Sequence, residues 1–261
     1  MTKSSIHLAV VLAAGKGTRM GEITHETPKP LLLVEGKPML EHILERLATA
    51  RITEVFIVVG YHHEMIEQHF RKWEPPRSRI GSSLKLTFHV QDLVDGTGSA
   101  ARLAQGFTAD EPFLLTYADI LCDPVEYVRC GDILEQYPQA SAALAVKAVN
   151  DPWQGAAVYE QNGRISNIVE KPAKGTSTTH WNSAGFYAFR PVVFQYLQRL
   201  TPSPRNEYEL TSALDMMLED SLEIRISPIE GGWRDVGRPE DLAAVNPGLD
   251  SSTSRADLPP K

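Results

Sequence analysis

Short, largely apolar runs alternate along this chain with stretches of helical spacing, and few folds accommodate that rhythm. Runs at 8–14, 55–59, 84–90, 113–117 and 142–146 read as strands buried on both faces. After the first, Met39, Leu40, Ile43, Leu44 and Leu47 fall on one face of a helix; after the second, Met65, Ile66, His69 and Phe70 do so more loosely. Strands and helices in alternation demand crossover connections. The expected fold is therefore α/β, a mostly parallel sheet covered by helices on both faces. Ligands of such sheets bind beyond the carboxyl ends of the strands, so the loops there are the place to look.

After about residue 150 the pattern changes. Segments 156–159, 164–169 and 183–189 read as strands separated by polar turns such as Gln161-Asn162-Gly163; 191–200 and 207–218 read as helices, and 223–226 as another short strand. The expectation is an extension of the same sheet within one domain, 1–247, whose two parts divide at about 150/151. The Ser-, Asp- and Pro-rich tail at 248–261 is expected to be disordered. No internal repeat is visible.

The net charge of −7 argues against a nucleic-acid-coating surface, which needs a Lys/Arg excess. It leaves room for a small phosphorylated substrate. Two cysteines, Cys122 and Cys130, cannot staple 261 residues and are expected as free thiols of a reducing compartment. Residues 8–14 are too short a run to span a bilayer. No secretory pattern precedes them, so the reading is a cytoplasmic chain without a membrane partner.

The first strand runs directly into Ala13-Ala14-Gly15-Lys16-Gly17-Thr18-Arg19-Met20-Gly21, and from Gly15 to Pro30 apolar residues are scarce. Glycines let backbone N–H groups approach phosphate oxygens. Arg19 adds a planar fork suited to phosphate, and Pro28 and Pro30 restrict the backbone around Lys29. Alone, the segment fits a phosphate loop and an ordinary surface loop equally well. It is not a dinucleotide fingerprint, because Gly21 comes one place late after Gly15-x-Gly17. Val58-Val59-Gly60-Tyr61 also lacks the acidic residue such a site wants. Nor does the P-loop pattern occur.

Leu12 through Met20, followed by Pro28-Lys29-Pro30-Leu31 and Gly36-Lys37-Pro38-Met39, resembles the signature of the sugar nucleotidyltransferases, which act on sugar 1-phosphates with UTP, dTTP, CTP or GTP. The similarity extends to about residue 245. It implies a Rossmann-like α/β core, Mg²⁺ as cofactor, and an NTP and a sugar 1-phosphate as the small-molecule partners. By position, Ala13, Ala14, Gly15, Gly17, Thr18 and Arg19 would line the triphosphate, with Arg19 and Lys29 as the catalytic cations.

Asp119 follows the strand at 113–117, and Asp235 sits in Gly232-Trp233-Arg234-Asp235-Val236-Gly237. Each alone reads as a turn aspartate. The resemblance makes them the metal's two carboxylates, a number that suits Mg²⁺ when phosphates and waters supply the rest. Ala118 departs from the glycine usual before the first aspartate. Gln91 pairs an amide donor with an acceptor, as a base edge requires, and Gly96 would leave bare backbone for a base. The resemblance puts both, with Thr97, on the nucleotide. Gly155, Glu170-Lys171-Pro172 and Asn182-Ser183-Ala184-Gly185 match the acceptor side, with Gly155, Glu170, Lys171 and Asn182 as its contacts. The stretch 90–98 most resembles the uridylyl and thymidylyl members, which implies UTP or dTTP, while Leu115-Thr116-Tyr117 is similar to glucose-1-phosphate cytidylyltransferases. Two alternatives stay open: a CTP- or GTP-using member, phosphocholine included as acceptor, and a nucleotide-sugar sensor without turnover.

Overall fold

A computed structural model describes residues 6–77, 81 and 83–246. The tail expected to be disordered lies outside the described residues. In chain order the strands are β1 Leu8–Ala13, β2 Leu33–Val34, β3 Lys37–Pro38, β4 Glu54–Val59, β5 Lys85–Val90, β6 Phe113–Tyr117, β7 Ile120–Cys122, β8 Ala140–Ala148, β9 Ala156–Gln161, β10 Arg164–Glu170, β11 Trp181–Phe189, β12 Glu223–Pro228 and β13 Trp233–Asp235. The helices are α1 Ile23–Glu26, α2 Met39–Thr49, α3 His63–Phe70, α4 Thr97–Arg102, α5 Gln105–Thr108, α6 Pro124–Gln136, α7 Val193–Leu197, α8 Leu210–Glu219 and α9 Pro239–Ala244.

Among the described residues one sheet dominates, in the order β5-β4-β1-β6-β11-β8-β12-β10-β9. Its first four strands are parallel, as expected, but β5 lies at the sheet edge and alternates exposed with half-buried residues, so it is not buried on both faces as the sequence suggested. The second half continues the sheet in mixed sense: β11 is antiparallel to β6 and β8, and β12 runs parallel to β8. Every residue of β1 is buried because both faces are covered. Ala9, Val11 and Ala13 face a core built with α2, α3 and α6. Leu8, Val10 and Leu12 face the opposite core, built with α4, α7 and α8.

Met39, Leu40, Ile43, Leu44 and Leu47 of α2 are all 0% exposed, so the helical stripe is a core stripe. Each such aliphatic side chain contributes about 1.5–3 kcal/mol by leaving water. In α3 the stripe is narrower than its sequence promised. Only Ile66 and Phe70, four apart, are buried, while Met65 is 40% exposed and His69 turns out to Glu41, 2.6 Å away. The stretch 15–30 is not one bare loop: it folds into 3-10 turns at Thr18–Met20 and Lys29–Leu31 on either side of α1. Segment 207–209 does not join α8, because Tyr208 pairs its backbone elsewhere; its N–H donates to Asp95 O at 2.8 Å and its carbonyl accepts from Gly98 N at 2.7 Å. Both cysteines are free and buried, and burial pushes the Cys122 thiol up to about 12. No helix among the described residues is long and apolar enough to cross a membrane.

Registers align the carboxyl ends of the parallel strands. Ala13 pairs with Val59, Val59 with Val90, and Leu12 with Tyr117. The loops carrying Gly15–Arg19, Gln91–Thr97 and Asp119 therefore leave the sheet along one edge.

Candidate active site

At that edge the glycine turn is folded back on Lys29. Gly17 has φ +66, and a Cβ there would meet Thr24 Cγ2 at 3.0 Å and Lys29 Cβ at 3.3 Å, so a side chain is excluded on two grounds. Thr24, 3% exposed, donates its hydroxyl toward Gly17 O and Gly21 O, both at 3.2 Å, and ties the turn to α1. Gly15, Thr18 and Arg19 stay exposed. Ala13 and Ala14 are buried, and the Ala14 carbonyl accepts from Tyr61 N at 3.2 Å.

Asp119 lies in the turn just past β6, and β13 brings Asp235 to it. The short antiparallel pair β7–β13 matches Asp235 with Ile120, and Val236 N–H donates to Asp119 O at 2.9 Å. Lys29 Nζ donates to Asp119 Oδ2 at 2.5 Å, both side chains being largely buried. Asp235 is open to the cleft yet crowded by protein. That crowding, with the Asp119 charge beside it, pushes its carboxyl up to about 6 against the pull of Lys29 and Arg19. The Arg19 guanidinium borders the same spot: a Cβ on Gly237 would lie 3.0 Å from Asp235 Oδ1 and 3.4 Å from Arg19 Nη1. Two carboxylates and two cations from four separate segments thus meet in one place.

Gln91 is 6% exposed, and its amide nitrogen donates to Ser99 Oγ at 2.8 Å and Asp95 Oδ1 at 3.2 Å. Ser99 also donates to Asp95. This network, closed through Asp95 of the same loop, fixes the amide's orientation. The packing of Gly96 (φ +139) adds its own reason for a glycine: a Cβ would fall 2.3 Å from Tyr208 O and 2.6 Å from Tyr208 N. The Thr97 hydroxyl accepts from Leu210 N at 3.0 Å.

Across the cleft, β9, β10 and β11 collect the other candidates. Glu170 pairs with Ala156 and Asn182 with Ala157. Gly155 accommodates Asn182, since a Cβ there would lie 2.3 Å from Asn182 Oδ1. That oxygen is buried and unpartnered, while Nδ2 donates to Ser183 O at 2.7 Å. Lys171, exposed and at φ +45, donates its N–H to the Gly155 carbonyl at 2.8 Å. Burial raises the Glu170 carboxyl above the usual range, Arg205 pulling the other way from 3.4 Å. Arg205 also donates Nε–H to Glu209 at 2.9 Å; Glu209 is held below the usual range by Ser203 and Arg205 although its burial opposes this. Tyr117, between Tyr187 and the Glu170 side, is kept protonated by burial.

Sequence reading missed Arg205, Glu209, Thr24 and Asp95. Each makes a distant or loop-closing contact, and none stands in a patterned position.

A family model described as nucleotidyl transferase matches residues 8–252. The chain is 31% identical over 255 residues to the UTP–glucose-1-phosphate uridylyltransferase AglF of Haloferax volcanii, an alignment covering 95% of this chain and 98% of that protein. It is 32% identical over 239 residues to the bifunctional protein GlmU of Methanococcus maripaludis, covering 91% of this chain but only 53% of that one. The chain thus spans about half the length of several of the curated relatives it matches. A solved UDP-glucose pyrophosphorylase complexed with UDP-glucose shares the fold, with a TM-score of 0.80 at 23% identity over 92% of this chain and 97% of that one.

Proposed function

The chain belongs to the nucleotidyl transferase family, and from that membership we propose that it transfers a nucleoside monophosphate from an NTP, UTP or dTTP in preference, to a sugar 1-phosphate, releasing pyrophosphate. The observation that carries this reading is the convergence of Asp119 and Asp235 beside Lys29 and Arg19 at the mouth of the glycine turn.

The two carboxylates fit a hard divalent cation, Mg²⁺ in this reading. They lie close enough for the Asp119 charge to raise the cost of charging Asp235, a cost a cation relieves. Among the described residues no group of three or more His, Cys, Asp or Glu is placed to hold a metal, so triphosphate oxygens and water would complete the set. The cation, when bound, neutralises charge on the phosphates.

The remaining work falls to the chain. Gly15, Gly17 and Thr18 line the triphosphate with backbone N–H groups and a hydroxyl, and Arg19 and Lys29 draw charge off the departing phosphates. Gln91, held by Ser99 and Asp95, presents its amide oxygen to the base, with Gly96 and Thr97 alongside. Asn182 Oδ1 and the Glu170 carboxylate suit sugar hydroxyl donors, and Lys171 with Arg205 suits the acceptor phosphate. An acceptor phosphate oxygen attacks the α-phosphorus, the bond from that phosphorus to the β-phosphate oxygen breaks, and pyrophosphate leaves. A phosphate monoester is already an anionic nucleophile, so no general base is required. Alignment and charge neutralisation supply the rate.

The test is pyrophosphate release with Mg²⁺, crossing UTP, dTTP, CTP and GTP with a panel of sugar 1-phosphates and phosphocholine. Release that requires one NTP and one sugar 1-phosphate together supports the reading. Release with phosphocholine alone moves the acceptor class, and none from folded protein points to a sensor.

A further inference from the structure

The β7–β13 ribbon that brings Asp119 and Asp235 together has three residues on each side. A ribbon that short does not hold itself. Its register matters, because a slip of one residue turns every side chain to the other face and displaces it by about 3.3 Å. Besides the Val236–Asp119 bond at the near end, the chain fixes it at the end remote from Asp119.

There the turn Gly231-Gly232 lies against the first turn of α6. Asp123 N–H donates to Gly232 O at 2.9 Å, and Gly232 N–H returns a bond to Asp123 Oδ2 at 2.7 Å. Gly231 N–H donates to Glu126 Oε1 at 2.8 Å. Glu126 is 1% exposed; its charge partner is Arg129 at 3.1 Å, which also reaches Glu230 at 2.8 Å. The turn is pressed onto both carboxylates: a Cβ on Gly231 would fall 2.6 Å from Asp123 Oδ2 and 2.9 Å from Glu126 Oε1. Trp233 Nε1–H donates to Ala184 O at 2.9 Å and ties the ribbon to β11. A carboxylate this deeply buried is costly to the fold, and it accepts the backbone N–H of Gly231, in the turn that leads into β13 and Asp235.

We propose that Glu126 is a positioning residue for the transfer reaction. It clamps the Gly231-Gly232 turn and thereby sets the spacing of Asp119 and Asp235 at the opposite end of the ribbon. The proposal rests on reading those two aspartates as the metal's carboxylates.

The test follows Mn²⁺ by electron paramagnetic resonance on the full chain with UTP and no acceptor, so that no turnover is needed. Glu126→Ala is expected to weaken Mn²⁺ binding about 10- to 100-fold, the usual effect of losing a group that orients metal ligands. Glu126→Gln, whose amide oxygen still accepts from Gly231, should recover most of that loss. Gly231→Ala, whose added methyl drives the turn and the two carboxylates apart, should lose Mn²⁺ as Glu126→Ala does, and it answers the question if Glu126→Ala does not fold. Asp235→Asn is the reference. If it loses Mn²⁺ while the folded Glu126 and Gly231 variants bind as the parent does, the clamp is overturned and the reading of the aspartates stands. If Asp235→Asn also binds as the parent does, both fall.

Discussion

Lys29 shows how a side chain can be committed before substrate arrives. Its ammonium is 2.5 Å from Asp119 Oδ2 and its side chain only 11% exposed, so a triphosphate must offer it a better partner than the carboxylate does. Such preset charge is worth most at the transition state, where new charge appears on the departing phosphates. Lys29→Ala is therefore expected to lower kcat about 100- to 1,000-fold, the usual cost of losing a preorganised stabiliser, with little change in the acceptor KM. Steady-state kinetics with both substrates varied checks the split; a loss confined to KM would make Lys29 a binding residue only.

Two elements carry tension that bears on stability. The first is the junction of the Gln91–Thr97 loop with the segment before α8, where Gly96 meets the Tyr208 backbone. Gly96→Ala combines that clash with a backbone angle that side chains avoid, and should destabilise the fold by about 1–3 kcal/mol. Urea unfolding measures this, and an unchanged midpoint would mean the loop gives way freely. The second is α8 itself, where burial, with Glu219, Glu170 and Glu209 nearby, pushes the Asp215 carboxyl up to about 6. A folded-state pKa above the unfolded value means that the protonated form is favoured by folding. The benefit is complete below the unfolded pKa and is lost as pH rises through about 6. Asp215→Asn should therefore gain stability over the parent above that pH, on the order of 1 kcal/mol after allowing for solvent screening of a partly exposed group, and the gain should vanish toward pH 4. Thermal midpoints of both proteins across that range test the sign.

At the scale of the molecule, β11 joins the two halves of the sheet. It pairs with β6 of the parallel half and with β8 and β9 of the other. Because both faces share cores that run across this seam, tryptophan fluorescence and far-UV circular dichroism should report one coincident unfolding transition. Separate midpoints would divide the chain near residue 150.

Much of this architecture was legible beforehand, for identifiable reasons. Buried parallel strands such as Leu8–Ala13 are apolar throughout, and the stripe of α2 repeats with the helix. The sense of the second half was not legible, since a strand such as Ala140–Ala148 carries no mark of which neighbour it will take. At the site, Asp119 and Asp235 could be singled out by motif, whereas their approach depends on β7 pairing with β13. Arg205 and Glu126 stood in no pattern at all; one matters through Glu170 and the other through a backbone N–H, both far away in sequence.

Phosphorus-31 NMR of the chain with Mg²⁺, an NTP and a sugar 1-phosphate follows both substrates and both products of the proposed transfer at once. The triphosphate and monoester signals should decline together while pyrophosphate and the paired doublets of a diphosphate-linked sugar rise in equal amount. Formation of a nucleoside diphosphate with inorganic phosphate, or persistence of the sugar monoester while the NTP is consumed, would contradict it.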